Sequence, residues 1–399
     1  MKLPHFEFKR PQQVAALLLL CFVGQCLWVV HHQTISESDY QYARCGREMW
    51  ERPSPIPGYF TTCGNFHDGT LAYRVAGLPL TAQFLANKAL DRLRKPENRQ
   101  FTGEDTSTST WEMRHQLNYV LLLLTLPFIG FGVWLGGGLW WVSRRLFGNA
   151  GGAFALALYC FSPPIIAACV TPNNEILAAW GLYGTVYTAI GVAHAMHGPR
   201  RKWRPRIALL AVALGLTGCA HLTAALVGLV LATTLMMYLA ERRRAAVVQV
   251  MILACSGALF ILIASYAFQL SAFEFVVRSA AARMWMSLAA LHHFATNLMT
   301  AGAATAALVA VFIYAAVRRS RYFGNTVPLA IFALLALLIT TGTQSRPFLW
   351  ALPFLLTFIG GVFADLFETR QRRAFIAIAI ALLFTQAALS LAALHLIAG

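Results

Sequence analysis

The chain has 399 residues, of which 58% are hydrophobic and 12% charged, and its mean hydropathy is +0.59. About a quarter of the residues of an ordinary soluble domain are charged, so this composition excludes one and marks an integral membrane protein. The net charge of +16 invites a nucleic-acid partner. Outside one polar loop, however, Lys and Arg come in short groups between apolar runs, which signals membrane topology and excludes that partner.

The first apolar run, Val14 to Val30, follows Lys2, Lys9 and Arg10. It is long for a signal-peptide core and ends in His31-His32 without a small-residue cleavage site, so it reads as an uncleaved first span. Next comes the polar stretch 31–116, which holds ten of the sixteen acidic residues balanced by ten Lys and Arg. It is therefore no acidic patch, and only particular acids within it matter. Ser36 to Glu51 carries a capping pattern, Ser36 followed by Asp39, with Tyr40, Ala43, Arg47 and Trp50 at helical spacing. This spacing predicts a helix lying on the membrane surface, ended by Pro53, Pro55 and Pro57. The run Leu71 to Leu93 is a second amphipathic helix, and 96–110 is a polar Ser/Thr-rich connection. Cys45 and Cys63 are the two cysteines of the eight outside apolar runs. In an oxidising compartment a disulfide between them would close a loop of about 18 residues, contributing on the order of 3 kcal/mol.

Beyond this loop the pattern predicts further spans at 117–142, 150–170, 175–197, 206–218, 220–240, 246–268, 297–317, 325–341, 347–366 and 374–397, about eleven in all with the first. The basic clusters at the N-terminus, Arg144-Arg145, Arg200-Arg201-Lys202, Arg242-Arg243-Arg244, Arg318-Arg319-Arg321 and Arg370/Arg372/Arg373 then all fall on one side. By the positive-inside rule that side is cytoplasmic and 31–116 is outside. A second outer stretch, 269–296, carries Glu274, Arg278, Arg283, Trp285, His292 and His293 among apolar residues and reads as an interfacial amphipathic helix. The expected organisation is one integral membrane domain, 1–399, with these two outer segments. Gly136-Gly137-Gly138 reads as a site of helix close packing.

An enzyme acting on lipid-linked substrates needs an acid or base at the interface and cations for phosphate. Glu37 and Asp39 lie just beyond the first span, where Asp39 serves equally well as a residue of the helix cap. Asp68, after His67, is a second carboxylate or a turn residue, and Glu175 is an acid or a favourable first-turn residue of its helix. His221 interrupts a long apolar run, where an ionisable group needs a partner or a water-filled cavity. Arg346 stands at the outer start of a span, as a phosphate ligand or a snorkelling interfacial residue. The chain has no Gly-rich phosphate loop and no H-E-x-x-H, and no Cys/His set has metal-ligand spacing.

In order, these pieces resemble the GT-C superfamily of membrane glycosyltransferases, in the branch of dolichyl-phosphate-mannose protein mannosyltransferases and aminoarabinose transferases. The similar segments are Asp39-Tyr-Gln-Tyr-Ala-Arg-Cys-Gly-Arg-Glu-Met-Trp50, Thr171-Pro-Asn-Asn-Glu-Ile-Leu177, Gly215-Leu-Thr-Gly-Cys-Ala-His221-Leu-Thr223 and Arg346-Pro-Phe-Leu-Trp-Ala-Leu-Pro353. Here Glu37-Ser-Asp39 stands for the family's adjacent acidic pair, and His221 replaces a Lys. The resemblance implies an all-α polytopic GT-C bundle with a large first extracytoplasmic loop of juxtamembrane helices. It implies Asp39 as catalytic base, with His221 and Arg346 at the donor phosphate, while Glu37, Asp68 and Glu175 stand as secondary acidic candidates by their positions alone. The implied donor is a polyprenyl-phosphate-linked sugar, attacked with inversion by a lipid, glycan or protein acceptor on the outer face of the cytoplasmic membrane. A divalent cation stays open as a cofactor. So does the alternative of a non-enzymatic membrane subunit, whereas a transporter would need inverted repeats that are not evident.

Overall fold

The computed structural model describes residues 10–51, 69–93, 117–199, 201, 203–269, 274, 276–277, 284–286, 289–297, 299–316, 322–340, 346–367, 369 and 372–398. The chain is a helical bundle that opens with α1 (Pro11–His32), α2 (Glu37–Glu51), α3 (Leu71–Leu93), the long α4 (Leu117–Cys160), α5 (Pro163–Val170) and α6 (Glu175–Ala195). After these come α7 (Arg204–Ala220), α8 (Leu222–Leu239), α9 (Arg244–Ser265), α10 (Ala289–Thr296), α11 (Ala301–Ala316), α12 (Tyr322–Leu337), α13 (Arg346–Phe367) and α14 (Arg372–Ala398). By length and composition seven described helices are apolar enough to cross a membrane: α1, α4, α6, α8, α9, α13 and α14, with α11 and α12 as shorter apolar helices. The chain is a multi-pass membrane protein. At its centre lies α13, whose apolar span is almost wholly buried against α4, α6, α11, α12 and α14.

Helix α4 is two helices. Gly148 adopts φ 83°, ψ −177°, outside helical space and in a region open chiefly to glycine. The second half folds back on the first, for the Tyr159 hydroxyl donates to the Gly132 carbonyl at 2.6 Å. In one straight helix those residues would stand about 40 Å apart. Of the glycine run, Gly136 is the close contact: a Cβ there would lie 2.8 Å from the Tyr159 ring, whereas Gly137 and Gly138 have nothing within 4 Å. Close packing therefore accounts for one glycine of the three.

The stretch 150–170 is interrupted at Ser162. Pro163 and Pro164 have no N–H, and the chain re-enters helix with Ile165 and Ile166 bonded to the Ser162 carbonyl. The carbonyls of Cys160 and Phe161 are answered by side chains: Gln25 Nε2 donates to Cys160 at 3.2 Å, and Gln386 Nε2 donates to Phe161 at 2.9 Å. Ser390 Oγ donates to Gln25 Oε1 at 3.0 Å, so α1 and α14 are both fastened to the break. Inside a bilayer no water can replace these donors. Gln25→Leu and Gln386→Leu are each expected to cost about 1–2 kcal/mol, read as a lower melting temperature in detergent.

The segment 269–296 departs from a continuous interfacial helix. Met284–Met286 forms a strand, β1, paired antiparallel with β2 (Leu338–Thr340), Trp285 opposite Ile339, and helix resumes at α10. The span expected to reach 341 accordingly ends as helix at Leu337. Ile339 and Thr340 are β-branched and suit an extended backbone, which gives the Met-Trp-Met strand its hydrogen-bond partners.

Candidate active site

Ser36 precedes α2 and Asp39 lies in its first turn. The Ser36 backbone N–H and hydroxyl donate to Asp39 Oδ2 at 2.8 and 2.7 Å, and the Asp39 N–H donates to Ser36 Oγ at 3.3 Å. This reciprocal capping box satisfies donors that a helix start would otherwise leave open. Asp39 is 2% exposed, whereas Glu37 points to solvent. A buried acid held by its own cap has a fixed orientation.

Helix α2 lies along α3 at backbone contact. A Cβ on Gly77 would collide with the Gly46 carbonyl and stand 2.7 Å from the Arg47 nitrogen. Tyr42 stacks on Tyr73 with centroids 4.3 Å apart, and Trp50 Nε1 donates to the Arg74 carbonyl at 2.7 Å. Cys45 is buried with Met49 and Tyr73. Its expected partner Cys63 lies outside the described residues, as does Asp68.

The start of α3 is fastened to three spans at one end of the bundle. Gly69 has φ 114° and sits so close to the Cys219 and Ala220 carbonyls that no side chain fits. Asn174 Oδ1 accepts the Ala72 N–H at 3.0 Å, and its amide donates to the Gly69 carbonyl at 3.4 Å. Arg74 Nη2 donates to the Ser265 carbonyl at 2.7 Å, closing the C-terminus of α9. The residue after Asn174 is Glu175, and the residue after Ala220 is His221.

His221 is the one-residue break between α7 and α8, extended at φ −154°, ψ 112°, and its ring is 4% exposed. Glu175 begins α6, its N–H accepted by Asn173 Oδ1 at 2.9 Å. Trp350 on α13 joins the two: its indole N–H donates to Glu175 Oε2 at 3.0 Å, and its ring meets the His221 ring edge-on at 4.7 Å between centroids. Arg346 opens α13 one turn earlier, with its side chain outside the described residues. The structure thus gathers Glu175, His221 and the first turn of α13 in one place. Helix α2, which carries Asp39, packs on α3, whose start is bonded at that end of the bundle.

Trp350 and Asn174 were not singled out from sequence, although both lie in the segments similar to the transferase family. Their signal was position: Trp350 follows Arg346 by one turn, and Asn174 directly precedes Glu175. Among the described residues no three His, Cys, Asp or Glu side chains converge to hold a metal ion.

Apolar helices long enough to cross a membrane, with two amphipathic helices packed at one end of the bundle, define a class: polytopic membrane proteins. Solved structures share the fold of this chain. ArnT from Cupriavidus metallidurans bound to undecaprenyl phosphate matches with a TM-score of 0.59 and 11% identity, over 96% of this chain and 75% of that one. Its apo state gives 0.58 and 12%, over 96% and 73%. The Archaeoglobus fulgidus oligosaccharyltransferase in complex with Zn and sulfate gives 0.54 and 11%, covering 94% of this chain and 52% of that one, so the chain spans about half its length. No protein-family model matches the chain, and no curated protein matches it in sequence. The chain has the GT-C fold of membrane glycosyltransferases.

Proposed function

We propose that this protein is a membrane glycosyltransferase that moves a sugar from a polyprenyl-phosphate donor to an acceptor hydroxyl with inversion. The observation that carries the reading is the meeting of Glu175, His221 and the first turn of α13 around Trp350, in a GT-C fold. The acceptor oxygen bonds to the anomeric carbon as the bond to the phosphate oxygen breaks. The acceptor proton passes to the Asp39 carboxylate, and the electron pair leaves with the polyprenyl phosphate. One base and fixed cations suffice for such a step. In this reading His221 and Arg346 face the departing phosphate, Glu175 is a secondary acid, and the acceptor is a lipid, glycan or protein.

The basic ends of the spans support a cytoplasmic N-terminus and a site on the outer face of the cytoplasmic membrane. The test is transfer by the purified chain in liposomes from polyprenyl-phosphate sugars, with and without a chelator to read a divalent-cation requirement. His221→Ala is expected to raise the donor KM roughly 10-fold, the worth of one charge-assisted hydrogen bond. An unchanged KM removes His221 from the donor site.

A second reading, a non-enzymatic subunit that keeps the fold, draws on one observation: Asp39 Oδ2 already accepts two bonds from Ser36. A folded chain that transfers no sugar from any such donor would favour it.

A further inference from the structure

Trp350 is among the most completely buried side chains, 1% exposed, and packing alone would account for an indole there. Packing does not account for its partners. A buried indole N–H needs an acceptor, and a backbone carbonyl would serve. Trp350 uses the carboxylate of Glu175, the first residue of α6, at 3.0 Å. The same ring system meets the His221 ring at a steep interplanar angle of 70°, and His221 is the residue that breaks α7 from α8. Glu175 and His221 belong to separate elements, each set in place by its own local bonding: Asn173 at the start of α6, and the His221 N–H to the Thr217 carbonyl at 2.7 Å. One rigid side chain from a third element touches both, and the helix carrying it begins with Arg346 one turn away.

The geometry points to Trp350 as a positioning residue that fixes Glu175 and His221 relative to each other, so that the secondary acid and the imidazole facing the phosphate of a lipid-linked donor hold one arrangement. This rests on the transferase reading above. Trp350 contacts no reacting atom in this scheme. It acts through the indole N–H, which sets the plane of the carboxylate, and through the ring, which limits the imidazole to one tilt. Misplacing a group by an ångström is enough to slow a reaction by orders of magnitude.

The N–H and the ring can be separated. Trp350→Phe keeps an aromatic ring and removes the donor, and 3-benzothienylalanine at the same position keeps the full bicyclic shape with sulfur in place of N–H. With the full chain in liposomes and a polyprenyl-phosphate sugar as probe, both are expected to lower kcat/KM roughly 10- to 100-fold, part of it as a raised donor KM because His221 faces the phosphate. In a Glu175→Leu background, which removes the acceptor, the added loss is expected to be less than about threefold, because the two residues act through one bond. The benzothienyl variant carries the test if the Phe variant misfolds, since its volume is that of tryptophan. Wild-type kcat/KM in the benzothienyl variant, or a loss that multiplies in full with Glu175→Leu, overturns the positioning role while leaving the transferase reading intact. Absence of transfer by the wild-type chain overturns both.

Discussion

Asp39→Asn is expected to reduce sugar transfer by about 10²- to 10⁴-fold, the range that a positioned general base contributes. The substitution is informative because it spares the fold. Asp39 Oδ2 accepts two bonds from Ser36, and the Asn carboxamide oxygen can accept the same two. What is lost is the capacity to take a proton. Asp39→Ala removes the acceptor as well and should cost about 1 kcal/mol of helix-cap stability in addition. Melting temperature and turnover, measured together on the two variants, separate cap from base: near-native melting with lost turnover for Asn, both falling for Ala. Turnover unchanged in the Asn variant would assign Asp39 to the cap alone and move the search for a base to Glu175.

Gly77→Ala is the second large effect, and it acts at a distance from the chemistry. The added Cβ would strike the Gly46 carbonyl and crowd the Arg47 nitrogen, which are backbone atoms that cannot turn aside as a side chain would. Helix α2 must lift from α3, at a cost of about 1–3 kcal/mol for the overpacked contact. Asp39 rides on α2, so a shift of an ångström at this contact is expected to lower turnover by about 10²-fold. Gly137→Ala is the matching control. Nothing lies within 4 Å of a Cβ there, and glycine within a helix interior is weakly destabilising, so stability should hold or rise slightly. Equal melting and turnover for Gly77→Ala and wild type would show that the α2–α3 contact does not fix the site.

Several features were legible before any coordinates because they depend on residues near one another in sequence. Ser36 and Asp39 are three apart, the spacing a reciprocal cap requires, and the cap forms. The two amphipathic runs become α2 and α3. The spans 206–218 and 220–240 set a break at Cys219 beside His221; helix α7 runs on through Ala220, and the one-residue break falls on His221 itself. The GT-C resemblance, read from short segments in order, corresponds to the fold that solved structures share with the chain.

Other readings turned on partners far away in the chain. The strand at Met284–Met286 exists because Leu338–Thr340 offers its backbone, a pairing across more than fifty residues that no local periodicity announces. Two of the three consecutive glycines lack the contacts their spacing suggested, since Tyr159 reaches only Gly136. Gln25 and Gln386 look like isolated polar residues in apolar runs until the carbonyls freed at Cys160 and Phe161 are found beside them.

The sequence by itself determined that this chain lives in a membrane, that two amphipathic helices follow its first span, and which few ionisable residues stand near helix ends. Those are consequences of hydropathy, capping and proline chemistry, all settled within a few turns. Only the tertiary structure decided which ends meet: that the first turn of α13 brings Trp350 to Glu175 and His221, and that α3 fastens the helix carrying Asp39 to the neighbouring residues Asn174 and Ala220. The reason is physical. A buried indole N–H, a carboxylate and a glycine with no room for a side chain each require a particular neighbour, and packing, not local sequence, supplies it.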